Sequence, residues 1–363
     1  MKNQARPARI ALACLAVLAL PALSFAEAPD AFSEVAALIE AARKDWNAPG
    51  MSVAVVVDGK IVWAEGFGLA DVENEVPARA DTVYRIASIS KPVAATAVMQ
   101  LVEKGGVAID DHITKYVPSF PNRDLGITLR HLMTHTSGIR HYNPGEFDLN
   151  DHFDSIEDAI EIFKDDPLLF TPGTQYSYST YAYNLLAGVV ERASGLTFDA
   201  YMKEKVWGPA GMTATRLEHQ REIVPRRARQ YVPVGGGQVE NAPFADLSVK
   251  WAGGGMISTV EDLARFAIAL DEGILLKMET LEKMYEPMTL ADGSRTDYGL
   301  GWDSRIDEKG RRWIAHGGGA TGGSTYLLRL PDERFAIAIA ANVQDAGDRR
   351  ALGIAIAERV LGR

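Results

Sequence analysis

Ser88 and Lys91 lie three residues apart at the start of an apolar segment, within the stretch YRIASISKPVAATAVMQLVEKGG. On a helix, residues with this spacing lie on the same face. A serine hydroxyl becomes a good nucleophile when a base removes its proton, and a lysine can be that base if burial lowers its pKa. Free backbone N–H groups at a helix N-terminus also suit an oxyanion. Taken alone, the pattern is more often a capping serine followed by a solvated lysine. Other segments of the chain must therefore show whether this pair is catalytic.

Two later segments carry side chains that could complete such a site. In YSYSTYAYNLL, residues 178–180 (Tyr-Ser-Thr) precede a helix, and a tyrosine there can act as a proton shuttle in a cleft. Packing of that tyrosine on the core is the commoner outcome for a loop aromatic. In WIAHGGGATGGSTYLL, residues 316–318 (His-Gly-Gly) lie at a strand edge, where glycines let a substrate backbone approach. The alternative there is a glycine-rich hairpin loop.

The N-terminal half predicts the elements that would hold the serine and the lysine. Apolar residues recur at helical spacing over residues 31–44 and predict a helix. An Asp-Gly pair at residues 58–59 joins two β-rich runs and predicts a hairpin. We expect the next helix over residues 88–106, with Pro92 tolerated in its first turn and a Gly-Gly pair at its end.

The middle of the chain predicts helices and loops. Thr128 is placed to cap a short helix, and a longer amphipathic helix ends at Gly195. Residues 233–243 (PVGGGQVENAP) look like a flexible loop. Ser258 and Glu261 have capping-box spacing before another helix.

Strand patterns return near the C-terminus, in RRWIAH, STYLLRL and RFAIAIAAN, and a final helix closes the chain. Strands from both chain ends can share one antiparallel sheet flanked by the terminal helices. The fold class is therefore α+β. We expect an α/β lobe of about residues 30–90 and 290–363, and a mostly helical lobe of about residues 91–289.

The first 26 residues have the features of a secretory signal peptide. A basic start is followed by an apolar run over residues 10–20, then Pro21 and a small-residue end at Ala26. We expect cleavage after Ala26 and a periplasmic or secreted protein with no stable membrane span afterwards. An uncleaved anchor, or lipidation at Cys14, remains an alternative.

Composition excludes several functions for the mature chain. Cys14 is the single cysteine, so residues 27–363 can hold no disulfide, cysteine nucleophile or thiolate metal site. The net charge of −10 becomes −13 when the three basic residues of the signal peptide are removed. Nucleic acid and anionic lipid surfaces are therefore disfavoured as partners.

Together the three motifs resemble those of the penicillin-recognising serine hydrolases, in the same order. The segments HLMTHTSGI, PGT, AGGGMISTVEDLARF and YGLGW are similar to the branch that contains class C β-lactamases, D-alanyl-D-alanine peptidases and related esterases. RIASISK and SGIRHY most resemble the β-lactamase-like serine protease family with a mitochondrial member. The resemblance covers about residues 30–360 and implies a β-lactamase/transpeptidase-like fold.

The resemblance also implies roles for individual residues. Ser88 would be the acylated nucleophile, Lys91 its general base, and Tyr178 the group that protonates the leaving group, shares the base function and later helps to activate water. The backbone N–H groups of Ser88 and Gly319 would form the oxyanion hole. The substrate-binding residues would be Thr180, His316, Gly317 and Gly318. The implied reaction is acyl transfer through an acyl-enzyme, with no metal and no cofactor.

Two departures bear on the substrate. Thr180 stands where efficient β-lactamases carry asparagine, and His316 stands where many relatives carry lysine. Since a histidine is mostly neutral near pH 7, it would bind a substrate carboxylate less firmly than lysine does. We therefore expect a peptide, amide or ester substrate before a β-lactam, although a true β-lactamase remains an alternative. A catalytically silent binding protein or an oligomer-forming scaffold is the alternative of another class.

Other sites are weakly indicated. Gly317, Gly319 and Gly322 match dinucleotide-binding spacing, but the segment that follows alternates like a strand. His131 and His135 have the i, i+4 spacing of a zinc site without the glutamate of its motif. We expect neither site. The sequence leaves the oligomeric state open.

Overall fold

Residues 28–121 and 126–362 are described by the structure, a computed structural model. The predicted signal peptide and Cys14 lie outside these residues. Within the two ranges no helix is both long and apolar enough to span a bilayer. The strands are β1 (Gly50–Val57), β2 (Lys60–Asp71), β3 (Val76–Pro77), β4 (Tyr84–Arg85), β5 (Arg216–Leu217), β6 (Tyr231–Gly235), β7 (Gln238–Asn241), β8 (Met256–Ser258), β9 (Asp303–Ile306), β10 (Arg312–Ala320), β11 (Gly323–Leu330) and β12 (Phe335–Ala341).

Helices occupy both chain ends and most of the middle. They are α1 (Ala28–Asp45), α2 (Ser90–Glu103), α3 (Leu129–Met133), α4 (Ile156–Ile160), α5 (Tyr181–Ser194), α6 (Phe198–Tyr201), α7 (Trp251–Gly254), α8 (Val260–Asp271), α9 (Met278–Tyr285) and α10 (Arg349–Leu361). Short 3₁₀ turns add Ala87–Ile89, Ile113–Lys115, Ser248–Lys250 and Pro331–Glu333, and a π-helical turn covers Met202–Trp207.

The main sheet has seven strands in the order β3-β2-β1-β12-β11-β10-β9, and all its pairings are antiparallel. It joins strands from both chain ends, which confirms the predicted topology. The Asp58-Gly59 hairpin is also confirmed, and both residues have positive φ values, as a tight hairpin turn with matching twist requires.

Strand β12 shows how the sheet separates two apolar layers. Ile337 and Ile339 pack in one cluster with α1 and α10, whereas Ala336, Ala338 and Ala340 pack in the other with the helices of the middle region. Successive side chains of a strand alternate between its faces, so the isoleucines and alanines face opposite layers. Because alanine is small, α8 can lie directly against β1 and β12 on that face. The predicted boundaries of the two lobes stay a prediction, with α8 of the middle region packed on the sheet.

Three local predictions need correction. Most of residues 233–243 belong to the β6–β7 hairpin instead of a loop, because Gly235 at the end of β6 and the turn residues Gly236 and Gly237 all adopt positive φ values. The cap of α8 is Thr259, which accepts the Asp262 N–H, while Ser258 ends β8. Residues 87–89 form a 3₁₀ turn before α2, so the serine nucleophile candidate precedes the α-helix proper.

Candidate active site

Ser88 sits in the Ala87–Ile89 turn that leads directly into α2. The residue before it, Ala87, has φ +49, a left-handed conformation that costs a non-glycine residue about 1 kcal/mol or more. The turn is held from the sheet, since the Thr325 hydroxyl donates to the Ile86 carbonyl over 2.8 Å. Ser88 is half-buried, so part of the residue remains exposed to solvent.

Lys91 is fully buried in the first turn of α2, and its amine makes three contacts. Nζ lies 2.6 Å from the Gly253 carbonyl oxygen, 3.1 Å from Thr180 Oγ1 and 3.1 Å from Ser88 Oγ. A neutral amine has two N–H donors and one lone pair. Donation to Gly253 and Thr180 therefore leaves the lone pair directed at the serine hydroxyl.

Burial lowers the pKa of Lys91 well below its ordinary value, and the positive charge of nearby Lys250 lowers it further. Lys250 is itself buried, and its Nζ donates to the Phe147 carbonyl over 2.7 Å. Burial lowers the pKa of Lys250 to about 8. The site thus favours the neutral, proton-accepting form of Lys91 near pH 7.

Gly253 allows α7 to approach the buried amine of Lys91. A Cβ at this position would lie 2.6 Å from both the carbonyl oxygen and the Cγ2 of Thr180, closer than real Cβ contacts come. Any larger residue would push α7 away from the start of α5. The Lys91 amine donates to the Gly253 carbonyl on α7 and to the Thr180 hydroxyl before α5, so these two segments must stay close together. Our sequence reasoning named Thr180 but missed Gly253, whose only signal was its glycine triplet.

Tyr178 contacts the same two residues from the other side. Its ring centroid is 4.7 Å from Lys91 Nζ, and its phenol interacts with the Ser88 hydroxyl. Burial raises the pKa of the Tyr178 phenol far above its usual value, and the interaction with Ser88 opposes this only in part. The phenol is therefore protonated at neutral pH and suits a proton donor better than a base.

Two histidines fix the backbone that carries Tyr178. His135 Nδ1 accepts the N–H of Ser179 over 3.2 Å, and His141 Nδ1 accepts the N–H of Thr180 over 3.3 Å. The His135 ring also lies 4.2 Å from the Tyr178 ring, centroid to centroid. Burial lowers the pKa of His135 well below its usual value and that of His141 to about 4, so both rings are neutral acceptors.

His131 and His135, whose spacing resembles part of a zinc motif, contact separate backbone N–H groups. His131 Nδ1 accepts the Thr128 N–H in the capping box of α3, so the three histidines serve three separate backbone contacts. Within the two described ranges, no group of three or more His, Cys, Asp or Glu side chains could hold a metal ion. Sequence reasoning missed the positioning role of His135 and His141.

Strand β10 brings the third motif beside the serine turn. It pairs with β9 only as far as Ala315, so the strand edge beyond this residue is free of β9. Gly318 is required where β10 meets the turn, because a Cβ there would lie 2.5 Å from the Ile86 oxygen and 3.1 Å from Ala87 Cβ. Gly317 and Gly319 are exposed on this strand. The chain turns straight into β11 afterwards, without the helix of a dinucleotide site.

His316 is buried with both ring nitrogens occupied. Nδ1 lies 2.7 Å from the Gly317 carbonyl, which can only accept, so Nδ1 carries the proton and donates it. Nε2 then accepts from the Tyr298 hydroxyl over 2.7 Å. Burial lowers the pKa of His316 to about 3, so the ring is neutral near pH 7, in line with the expectation from the sequence. Tyr298 was missed as a site residue.

A cavity of about 600 Å³ opens beside these residues. It is lined by Tyr176, Tyr178, Leu290, Arg295, Thr296, Asp297, Tyr298, Asp303, Arg305, His316 and Gly317. The lining includes Tyr178, His316 and Gly317 of the second and third motifs, and also four charged side chains. A cavity of this size, with an aromatic wall and polar groups that can orient a ligand, suits a small-molecule or peptide site.

A serine with a buried lysine at hydrogen-bonding distance, a protonated tyrosine and a free strand edge is the arrangement that the sequence motifs predict for a serine acyl-transfer site. The chain belongs to the Beta-lactamase family, whose model matches residues 35–361. This confirms the predicted family and its β-lactamase/transpeptidase-like fold. The family places the chain in the serine hydrolase superfamily that includes β-lactamases, penicillin-binding proteins, esterases and amidases.

Relatives cover most of the chain. The human serine beta-lactamase-like protein LACTB, mitochondrial, is 33% identical over 390 residues, which cover 82% of this chain and 71% of LACTB. Esterase EstB of Burkholderia gladioli is 32% identical over 308 residues, covering 74% and 75%. The octameric penicillin-binding protein homologue from Pyrococcus abyssi superposes with a TM-score of 0.80 at 26% identity, over 92% of this chain and 78% of that one.

Proposed function

We propose that the protein is an exported serine hydrolase that cleaves a peptide, amide or ester bond through an acyl-enzyme on Ser88. The observation that carries the proposal is the Lys91 amine, fully buried and 3.1 Å from the Ser88 hydroxyl. Relatives named as a penicillin-binding protein and an esterase support hydrolysis of acyl bonds.

In acylation, Ser88 Oγ attacks the substrate carbonyl carbon while its proton passes to the Lys91 lone pair. The backbone N–H groups of Ser88 and Gly319 are our candidates for holding the oxyanion that forms. When the bond to the leaving group breaks, Tyr178 gives its proton to the departing nitrogen or oxygen. The Lys91 ammonium then returns a proton to Tyr178, so the serine proton ends, in net terms, on the leaving group.

In deacylation, water attacks the Ser88 ester and loses its proton to the neutral amine of Lys91. The proton passes back to Ser88 Oγ as the C–O bond breaks, which regenerates the free enzyme and releases the carboxylic acid. The two steps need no group beyond this chain's own residues. Thr180 and Gly253 hold the Lys91 amine in place throughout, in its neutral and in its protonated form.

The test is the mass of the intact protein after incubation with benzylpenicillin and, separately, with p-nitrophenyl acetate, for the wild type and for Ser88→Ala. We expect an acyl adduct or turnover in the wild type and neither in the variant, whose fold is checked by circular dichroism. Penicillin hydrolysis that exceeds ester turnover would favour the β-lactamase alternative. A wild type with no adduct and no turnover would favour the binding-protein alternative, and an active Ser88→Ala variant would refute the mechanism.

Export is proposed from the sequence of residues 1–26. The mass of the protein recovered from the periplasm or medium of an expressing bacterium tests it. A chain beginning at Glu27 supports cleavage after Ala26, whereas a lipidated or full-length chain in the membrane fraction contradicts it.

A further inference from the structure

The lining of the 600 Å³ cavity includes four charged side chains, of which two are arginines. Arg305 is paired twice, with Asp303 over 2.8 Å and with Asp297 over 3.6 Å. Arg295 is exposed and has no ion-pair partner among the residues the structure describes. Arg295 is therefore the cation of this cavity that is available to a ligand.

Arg295 is held on a short hydrogen-bonded arm. It forms an antiparallel bridge with Thr289, and the next residue, Thr296, donates its N–H to the Met288 carbonyl over 2.9 Å. At the tip of the arm, the Ala291 N–H donates to the Gly173 carbonyl over 2.9 Å. Three residues after Arg295 the arm reaches Tyr298, which donates to His316. The guanidinium is therefore carried by a backbone segment that is linked to His316 of the third motif through the Tyr298 hydrogen bond.

The strand side of the cleft offers no positive charge. His316 is neutral, and its two ring nitrogens are engaged by the Gly317 carbonyl and the Tyr298 hydroxyl. Lys91 lies beneath the serine, where its amine contacts only protein groups. A substrate anion would therefore find no cationic partner at the motif position where many relatives carry lysine.

A second cavity, of about 790 Å³, shares Arg295, Thr296, Asp297 and Arg305 with the first. Arg295 stands where the two cavities meet. A group bound to Arg295 borders the first cavity, which Tyr178 and His316 also line, and the rest of a longer substrate can continue along β9 into the second cavity.

We propose that Arg295 binds a substrate carboxylate, so that the preferred substrates of this site are acyl compounds bearing a carboxylate away from the scissile bond. The inference rests on the proposed function of Ser88. Arginine suits this task because its planar guanidinium can donate two parallel hydrogen bonds to a carboxylate.

The test compares kcat/KM for two pairs of esters that differ by one carboxylate. p-Nitrophenyl hexanoate and mono-p-nitrophenyl adipate carry the difference on the acyl side. Phenyl acetate and 4-acetoxybenzoate carry it on the leaving group. Arg295→Ala should lower kcat/KM for the anionic member of at least one pair about five- to tenfold, as expected for an exposed charge-assisted contact, with the neutral members unchanged. The wild-type preference should also weaken as salt rises.

Arg192→Ala is the matched control, since Arg192 is an exposed arginine on α5 that lines neither cavity. Arg295→Lys should keep part of the preference, and Arg295→Glu should reverse it. If the esters are hydrolysed in a Ser88-dependent way but Arg295→Ala leaves both ratios unchanged, the carboxylate site is refuted and the proposed function stands. If no ester acylates or turns over on the wild type, the inference fails, and the absence of a benzylpenicillin adduct as well would show that the proposed function fails with it.

Discussion

Replacing Lys91 with arginine tests whether this residue acts as a general base or only as a positive charge. Arginine keeps the positive charge and the hydrogen-bond donors, but it stays protonated in proteins and has no lone pair to offer. In the native site the amine donates to Gly253 and Thr180, which leaves only its lone pair for Ser88 Oγ at 3.1 Å. Lys91→Arg removes that acceptor while retaining a cation.

The expected loss follows from the role assigned. General-base catalysis contributes about 10²–10⁴-fold, which corresponds to about 3–5 kcal/mol of activation free energy. We expect Lys91→Arg and the uncharged, similarly sized Lys91→Met to slow acylation by p-nitrophenyl acetate by comparable factors in this range. Stopped-flow release of p-nitrophenol measures the acylation step directly.

The pH dependence of the acylation rate is a second test of Lys91 as the general base. Because burial depresses the pKa of Lys91, its amine is neutral at pH values where a solvated lysine is still charged. Acylation by the wild type should therefore fall as pH drops through this lowered pKa and stay high above it. The residual acylation rate of Lys91→Met should not show this fall at low pH.

Lys104→Arg is the control, since Lys104 is exposed and caps the other end of α2. Thermal melts establish that each variant is folded. A folded Lys91→Arg protein that keeps more than a tenth of the wild-type acylation rate would refute the base assignment, and would indicate that Lys91 acts as a fixed positive charge.

Two further substitutions test the groups around this pair. Gly253→Ala places a Cβ 2.6 Å from the Thr180 backbone oxygen, so we expect about 1–3 kcal/mol of destabilisation and a more than tenfold lower kcat. Gly254→Ala, whose Cβ meets nothing nearer than 3.7 Å, should be nearly neutral in both assays, and equal effects of the two would contradict the argument. Tyr298→Phe removes the donor to His316 Nε2, which stabilises the neutral ring, so the pKa of His316 should rise from about 3. A titration of the histidine ring protons by NMR that moved down or stayed still would overturn this assignment.

Much of the site could be predicted from the sequence because its key relations are local. Ser88 and Lys91 are joined by a single turn, and the spacing of three places them together wherever that helix packs. The hairpin at residues 58–59 and the stop at Gly195 also follow from local backbone preference, with positive φ at each turn glycine. The three motifs and their order were enough to identify the family.

Relations between distant segments could not be predicted in this way. Gly253 lies 162 residues from Lys91, and nothing in its glycine triplet says which carbonyl will face the amine. His135 looked like half of a zinc motif, yet the packing of its loop against residues 178–180 makes it a backbone acceptor. Residues 233–243 looked like a loop because glycine lowers strand propensity, although the same glycines supply the turn of a hairpin.

The sequence by itself determined which side chains could do chemistry, namely a serine, a lysine and a tyrosine in motifs of fixed order. Only the tertiary structure decided their protonation states, since the pKa of Lys91 and that of Tyr178 are moved by burial among residues from several parts of the chain. The tertiary structure also decided which positively charged side chain of the cavity is free to bind a substrate. His316 is neutral and bonded to Tyr298, Arg305 is held by two carboxylates, and Arg295 is left unpaired among the described residues because of how the arm of residues 288–298 folds.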